Sequence, residues 1–218
     1  MDLFLNINRY IDHSNLKPYA TYEDIEILCK EAVQYNFYAV CVNPFYVKYA
    51  KTLLKGTGIK VCSVVGFPFG ANTPKTKLVE ASTAINDGAD ELDIVWNIGA
   101  FKSGNYDFVE NELKTIISYT QGVVHKIIVE TAYLTEEEKK TALEIVIDSG
   151  AQYIKTSTGF APEGAKIEDV KMWKEISDGK IKIKAAGGIK TFEQAAEMIK
   201  AGADRIGTSH GVEIVKGR

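Results

Sequence analysis

The chain has 218 residues, of which 45% are hydrophobic and 25% are charged, and its formal net charge is −3. This content suffices for a large core, and we expect one domain over residues 1–218 because no Pro/Ser-rich linker, low-complexity tract or charge block divides the chain. The small net charge, with both signs interspersed, argues against a nucleic-acid groove or a basic membrane-binding face. The composition therefore favours a protein that acts on small molecules.

The three cysteines, Cys29, Cys41 and Cys62, form no CxxC pair and no Cys/His spacing typical of metal ligands. We therefore expect no disulfide framework, no structural zinc, and reduced intracellular thiols. Cys41 is expected to pack as a small apolar residue, open to modification by aldehydes if its strand end faces a reactive site. Apolar stretches are too short to span a bilayer, so we expect a cytoplasmic protein.

The apolar period switches repeatedly between two and about three and a half, which is typical of strands that alternate with helices. Eight segments carry the strand pattern: 9–13, 38–42, 60–65, 90–96, 126–130, 152–156, 180–185 and 204–207. Helix starts are indicated by three capping boxes and by a threonine before a proline. These starts are Thr21 with Asp24, Thr135 with Glu138, Thr191 with Gln194, and Thr73-Pro74.

Three of the predicted helices run into a Gly-Ala pair that leads to the next strand, at residues 88–89, 150–151 and 202–203. A helix-stopping glycine before each strand, repeated in a chain with eight strands, predicts an α/β fold of the (β/α)8 TIM-barrel type with a short N-terminal helix. A doubly wound open sheet is the weaker alternative, because no GxGxxG follows the first strand. The last helix has little room, so the N-terminal helix or a partner subunit must cover that side of the barrel.

Lys155 lies inside a short apolar strand pattern, and three hydroxyl residues and Gly159 follow it directly. Burying an ammonium group without a partner is costly, and such a group tends to give up its proton. An uncharged amine is a nucleophile that attacks carbonyl carbon to form a Schiff base. The segment therefore indicates a catalytic lysine.

Asp93 and Lys184 also lie at strand ends, where a barrel of this type carries its chemistry. Each could also be an ordinary polar residue on the solvent side of a half-solvated strand. In a barrel, however, helices cover the outer face of the strands, so the lysines of the seventh strand should point inward. A second cation beside Lys155 favours the uncharged amine. We hypothesise that Lys155 is the nucleophile, Lys184 the neighbouring cation and Asp93 the proton carrier; composition leaves the opposite assignment of the lysines open.

Glycine-rich segments follow the last two predicted strands, at 187–189 and 207–211. Loops at these places often bind phosphate through backbone N–H groups, and Ser209 adds a donor. Taken alone, a Gly-Gly turn is more often a plain connection. Two of them in adjacent loops predict a phosphate site.

Four long runs resemble those of the deoxyribose-phosphate aldolase family, and the resemblance extends from Ile11 to Ser209. The runs are 65–70 (VGFPFG), 87–93 (DGADELD), 155–162 (KTSTGFAP) and 184–189 (KAAGGI). The resemblance implies a metal-free class I aldolase without a cofactor, on a TIM barrel. Its reaction would be the reversible cleavage of 2-deoxy-D-ribose 5-phosphate to acetaldehyde and D-glyceraldehyde 3-phosphate, in deoxyribonucleoside catabolism.

By this resemblance Lys155 forms the imine, and Lys184 and Asp93 complete a proton relay. Asp12 is expected to steady Lys184 by charge pairing. The candidate substrate- and phosphate-binding residues are Thr158, Gly159, Gly187, Gly188, Gly207, Ser209 and His210. We expect partners limited to the sugar phosphate and the aldehyde, with no nucleic acid and no membrane, and a homo-oligomer with a dimer favoured.

Several positions depart from the family pattern, namely Ser14-Asn15, Trp96, Glu163 and His210. His210 stands where a second serine is common; it either replaces a phosphate contact by an imidazolium or is a solvated loop residue. His13 and His125 are interpreted as structural. The alternative functions are another Schiff-base aldolase or transaldolase, a phosphate-binding sugar epimerase, and a non-catalytic phosphate-binding barrel.

Overall fold

A computed structural model describes residues 6–217 and shows eight parallel strands that close into a barrel in chain order. The strands are β1 (Ile11–Asn15), β2 (Ala39–Val42), β3 (Lys60–Val65), β4 (Glu91–Val95), β5 (Val124–Ile128), β6 (Tyr153–Lys155), β7 (Lys182–Ala186) and β8 (Arg205–Thr208). The barrel closes where β1 pairs with β8, with Asp12 opposite Gly207. The predicted (β/α)8 barrel is confirmed.

Nine α-helices connect the strands within the described residues. They are α1 (Tyr22–Gln34), α2 (Val47–Leu53), α3 (Pro74–Asn86), α4 (Ile98–Lys102), α5 (Tyr106–Tyr119), α6 (Glu136–Asp148), α7 (Ile167–Ser177), α8 (Phe192–Ala201) and α9 (Gly211–Lys216). Both hydrogen bonds of each predicted capping box form, at Thr21, Thr135 and Thr191. The Thr73 side chain accepts from the backbone N–H of Thr76, so this predicted start is also confirmed. In residues 6–217 no helix combines the length and apolar character that a membrane span needs.

Some strand limits differ from the predicted ones for local reasons. β1 begins at Ile11, because residues 7–10 form a 3₁₀ turn, Ile7–Tyr10. β5 ends early, since Glu130 adopts a left-handed conformation with φ of 55° and turns the chain out of the strand. β7 begins at Lys182, after a turn in which Asp178 also has a positive φ.

The core lies between the strands and the helices. Alternate strand residues such as Val40, Val61, Ile94, Ile154 and Ile183 are fully buried there against the helix layer. Each such aliphatic side chain stabilises the fold by roughly 1.5–3 kcal/mol relative to an exposed position. The barrel interior therefore receives the other set of alternating residues, which contains the buried charged side chains together with a small apolar cluster of Cys41, Cys62 and Val64.

The prediction that the lysines of the seventh strand point inward holds only in part. Lys184 is buried inside the barrel, whereas Lys182 is exposed at the opposite rim, with its ammonium 5.6 Å from the centre of the Tyr153 ring. The reason is position along the barrel axis, because Lys182 is the first residue of β7 and lies where water still reaches.

The last helix, α9, is short, and the 3₁₀ turn Ile7–Tyr10 packs against it. Ile7 of that turn is fully buried. Among the described residues this 3₁₀ turn covers part of that side of the barrel, and the rest of the predicted N-terminal helix lies outside residues 6–217.

Candidate active site

Asp93 holds three lysines together at the centre of the barrel. Its Oδ2 accepts hydrogen bonds from the Nζ of Lys155 at 2.6 Å and of Lys184 at 2.7 Å, and its Oδ1 accepts from Lys126 Nζ at 2.8 Å. Lys184 also donates to Asp12 Oδ2 at 2.5 Å. The structure thus brings together the four residues predicted to carry catalysis.

Asp93 and the three lysines converge because they lie on the neighbouring strands β4 to β7. Asp93 of β4 lies opposite Lys126 of β5, and Lys155 of β6 lies opposite Lys184 of β7. Since side chains on a strand alternate between its faces, all four point into the barrel while the isoleucines beside them point to the helices. The site is therefore built on strands, which are its most rigid support.

Three charged residues of the interior were missed by sequence reasoning. Lys126 Nζ lies 2.6 Å from Glu91 Oε2, and Arg205 Nη1 donates to Asp12 Oδ1 at 2.9 Å. The predicted trio was incomplete, because burial of that much charge needs this wider set of partners. For Lys126 the signal was present, since Ile127-Ile128-Val129 follows it in the same apolar context that identified Lys155.

The ion pairs set the protonation of the cluster. Burial alone would raise the pKa of Asp93, but the ammonium groups of Lys126, Lys155 and Lys184 outweigh it and hold the pKa well below its usual range. Burial would likewise lower the pKa of Lys184, yet the carboxylates of Asp12 and Asp93 raise it above its ordinary value. Lys184 is therefore a cation and Asp93 an anion at neutral pH.

A cavity of about 530 Å³ opens above this cluster, at the carboxyl ends of the strands. Lys155, Lys184 and Asp12 line its floor, and Asp93 lies fully buried beneath them. Its rim contains all seven predicted binding residues: Thr158, Gly159, Gly187, Gly188, Gly207, Ser209 and His210. The volume suits a small, phosphorylated substrate.

The glycines of the rim serve different purposes. Gly187 (φ 89°) packs against another loop, because a Cβ built there would lie 2.9 Å from Gly164 Cα. Gly188 (φ 78°) has open space where its Cβ would be. A Cβ on Gly207 would lie 3.0 Å from Lys184 Cε, so this glycine makes room for the stem of the buried lysine.

Two predicted rim residues already have partners within the protein. Thr158 donates both its backbone N–H and its hydroxyl to Oε2 of the buried Glu130. His210 places its Nδ1 3.1 Å from Ser209 Oγ and donates its backbone N–H to Thr208. Ser209 and His210 thus lie side by side just before α9.

Comparison with known proteins places this arrangement in a family. The sequence profile of the DeoC/LacD family aldolases matches residues 6–217. The chain belongs to this family of aldolases. The family's barrel is shared more widely, since a mandelate oxidase only 12% identical superposes with a TM-score of 0.65, which shows the fold alone.

Relatives within the aldolase family are similar over nearly their whole length. The deoxyribose-phosphate aldolase of Thermococcus gammatolerans is 54% identical over 98% of this chain and 96% of its own. That of Dictyoglomus turgidum is 50% identical, over 97% and 99%. Among solved structures, a deoxyribose phosphate aldolase from Aeropyrum pernix, described as tetrameric, superposes with a TM-score of 0.91 at 32% identity, covering 98% of this chain and 91% of that one.

Two buried histidines of this aldolase, His13 and His125, contact polar side chains within the protein. His13 is buried, and its Nε2 lies 2.8 Å from Glu31 Oε2. His125, also buried, contacts the hydroxyl of Thr120 at 2.8 Å. Burial lowers the pKa of both imidazoles, although hydrogen bonds partly oppose it.

Within residues 6–217, one set of side chains offers metal-ligating atoms close together, namely Cys41, Cys62 and Asp93, whose ligand atoms lie within 4.8 Å of one another. Both oxygens of Asp93 already bind ammonium groups. A divalent cation there would face three like charges at short range. The surroundings of this set therefore disfavour a metal ion.

Proposed function

We propose that this aldolase reversibly cleaves 2-deoxy-D-ribose 5-phosphate to D-glyceraldehyde 3-phosphate and acetaldehyde, through an imine on Lys155, in deoxyribonucleoside catabolism. The observation that carries the proposal is the Lys155 amine at the floor of the cavity, joined through Asp93 to the cation Lys184. The name borne by relatives that are 50–54% identical supports the same substrate.

Lys155 is the better nucleophile of the two cavity lysines for a geometric reason. Its ammonium pairs with one carboxylate, whereas that of Lys184 pairs with two. Fewer ion pairs must therefore be given up when the Lys155 amine reacts. Lys184 shares Asp93 Oδ2 with Lys155, so the two amines compete for the same carboxylate oxygen.

In the proposed reaction the uncharged Lys155 amine adds to the aldehyde carbon of the substrate, and loss of water gives a protonated imine. A base removes the proton of the hydroxyl on the third carbon, the bond between the second and third carbons breaks, and its electron pair moves toward the imine nitrogen. D-Glyceraldehyde 3-phosphate leaves. The remaining enamine is protonated on carbon, and water releases acetaldehyde and the free amine.

Asp93 and Lys184 carry the protons of these steps, directly or through a water molecule. Asp12 holds Lys184 in place, since it bridges that lysine and Arg205. Because the protonated imine accepts the electron pair, the proposed chemistry requires neither a metal nor a cofactor.

We assign the phosphate of the substrate to the glycine-rich rim. Gly187, Gly188, Gly207, Ser209 and His210 line the β7–β8 side of the cavity, where backbone N–H groups suit an anion. Thr158 and Gly159 line it next to the β6 end, beside the nucleophile. We further propose one aldolase domain, a cytoplasmic location and a homo-oligomer with a dimer favoured.

A donor assay tests the proposed substrate. With D-glyceraldehyde 3-phosphate as acceptor, we expect condensation with acetaldehyde and little with dihydroxyacetone or its phosphate. Lys155→Ala should abolish it, and Lys180→Ala, at an exposed position outside the site, should leave it intact. Preference for a dihydroxyacetone donor would indicate a different Schiff-base aldolase. Isomerisation of sugar phosphates without cleavage of a carbon–carbon bond would indicate an epimerase.

A further inference from the structure

We propose that Cys41 and Cys62 form an oxidisable pair, in which hydrogen peroxide closes a reversible disulfide beside Asp93 and lowers the activity of the enzyme. The two residues are far apart in sequence and carry no spacing typical of a disulfide. The fold alone brings them together.

The strand pairing places the two cysteines at a Cα separation that a disulfide allows. Cys41 of β2 and Cys62 of β3 are direct Cα partners in the parallel ladder, and their sulfur atoms lie within 4.8 Å of each other. Neighbouring strands are about 4.7–4.9 Å apart, within the range of roughly 4.4–6.8 Å that disulfides allow between Cα atoms. Both thiols point into the barrel and pack together with Val64.

The two sulfurs lie against the ion-pair cluster, with the Asp93 carboxylate as their nearest charged group and ammonium groups around it. Lys126 Nζ donates to Cys62 Sγ at 3.4 Å, and Cys62 in turn donates to Asp93 Oδ1 at 3.1 Å. Cys41 Sγ lies 4.0 Å from Asp93 Oδ2, the oxygen that binds Lys155 and Lys184. The ammonium groups favour the thiolate that reacts with oxidants, whereas the carboxylate of Asp93 opposes it.

The two thiols have different roles in the oxidation. Cys41 lines the cavity, so a small oxidant reaches it from the substrate side, whereas Cys62 lies beneath. The neighbouring Cys62 side chain lowers the pKa of Cys41 against the effect of burial, while burial raises that of Cys62. Cys41 is therefore the attacking thiolate and Cys62 the resolving thiol, the arrangement of a redox-sensitive pair.

Hydrogen peroxide oxidises the two thiols in two steps. The Cys41 thiolate attacks one oxygen of hydrogen peroxide, the O–O bond breaks, a sulfenic acid forms, and the departing hydroxide takes a proton to become water. The Cys62 sulfur then attacks the Cys41 sulfur, gives up its proton and displaces the hydroxyl group as a second water. Two thiols lose two electrons in total, and one peroxide is reduced to two waters.

Disulfide formation alters the catalytic cluster, because Cys62 no longer donates to Asp93 and the new S–S bond redirects both side chains under the cavity floor. We expect activity to fall in proportion to the crosslinked fraction, and a thiol reductant to restore it. A bond between adjacent parallel strands is constrained, and constrained disulfides are the readily reduced ones.

The test uses the intact enzyme and hydrogen peroxide, followed by alkylation, digestion without reductant and mass spectrometry. We expect one crosslinked peptide pair, containing Cys41 and Cys62, which disappears on treatment with dithiothreitol as activity returns. Cys29 is the internal control. It lies in the packed face of α1, where burial raises its pKa to about 12, and it should stay reduced. Cys29→Ser should respond to peroxide as the unaltered chain does.

Cys62→Ser sharpens the result, because without the resolving thiol the Cys41 sulfenic acid persists and a second hydrogen peroxide oxidises it to sulfinic acid, with release of water, a form that dithiothreitol does not reduce. The crosslink is mapped without substrate, so its failure is distinct from failure of the proposed reaction. Oxidation of Cys41 to sulfinic or sulfonic acid with no Cys41–Cys62 crosslink in the unaltered chain would overturn the proposal. Full crosslinking with unchanged activity would overturn it as well.

Discussion

The proposed choice of reactive lysine rests on charge pairing at single residues. Lys184 is fixed as a cation by Asp12 and Asp93, and Asp12 is itself held by Arg205. Each of these charges is removed from water, which costs several kcal/mol per ion, and the cost is offset only while every partner is present. The site is therefore sensitive to loss of one carboxylate even where that carboxylate touches no substrate.

Replacing Asp12 by asparagine tests this dependence. The carboxylate would no longer balance Lys184 and Arg205, so we expect the free energy of unfolding to fall by about 3 kcal/mol and kcat/KM to fall about tenfold or more. Chemical denaturation and steady-state kinetics measure the two effects. Glu137→Gln is the control, because its pair with Lys140 is exposed and should change stability by less than about 1 kcal/mol. Unchanged activity in Asp12→Asn would remove Asp12 from the account.

Sequence reasoning found Lys155, Lys184, Asp93 and Asp12 because charges in apolar strands are costly and therefore conspicuous. It missed Arg205 and Glu91, since each follows an aspartate at the start of a strand, where charge is ordinary. The contacts of Thr158 with Glu130 were also beyond reach, because they join segments that only the closed barrel brings together.

At the scale of elements, the strands and helices were predictable and their limits were not. Period and capping indicated eight strands and four of the nine helix starts in residues 6–217. The end of β5 depends on a positive-φ turn at Glu130, which no residue pattern marks, and the start of β7 follows a positive-φ turn at Asp178. The loops after β7 and β8 were recognised by their glycines. Which glycine permits a close approach and which permits only a turn is visible solely in three dimensions.

Neighbouring glycines of the β7 loop allow a matched test. Alanine at 187 or 188 carries a similar backbone cost, roughly 1–2 kcal/mol, because both residues have positive φ. Only at 187 does the new Cβ also meet the Gly164 backbone. We expect Gly187→Ala to raise KM for the phosphorylated substrate about tenfold more than Gly188→Ala, a difference of ~1.4 kcal/mol. Equal KM values would show that the loop packing does not shape the phosphate site.

On the scale of the whole molecule, stability should depend on pH in two separate windows. His13 and His125 have pKa values lowered by burial, so as pH falls below about 6.5 the unfolded chain takes up protons before the folded one does, and stability is lost. Asp12 and Asp93 have lowered pKa values through their cations; their contribution is full above about pH 4 and is lost below it.

Denaturation curves across pH check this prediction. We expect the unfolding free energy to decrease from pH 7 to 5 with a slope of at most about 1.4 kcal/mol per pH unit for each histidine, and to drop further below pH 4. His125→Asn should reduce the slope between pH 7 and 5 to the part contributed by His13 and leave the loss of stability below pH 4 unchanged. A curve that is flat from pH 7 to 5 would contradict the assignment of buried, neutral histidines.

The most direct test of the account is to incubate the enzyme with acetaldehyde, reduce with sodium borohydride and locate the modified residue by peptide mass spectrometry. We predict one ethyl group per chain, on the side chain of Lys155, and none in Lys155→Arg. An ethyl group on Lys184 or Lys126 in place of Lys155, or no adduct at all, would contradict the claim that Lys155 is the amine that forms the imine.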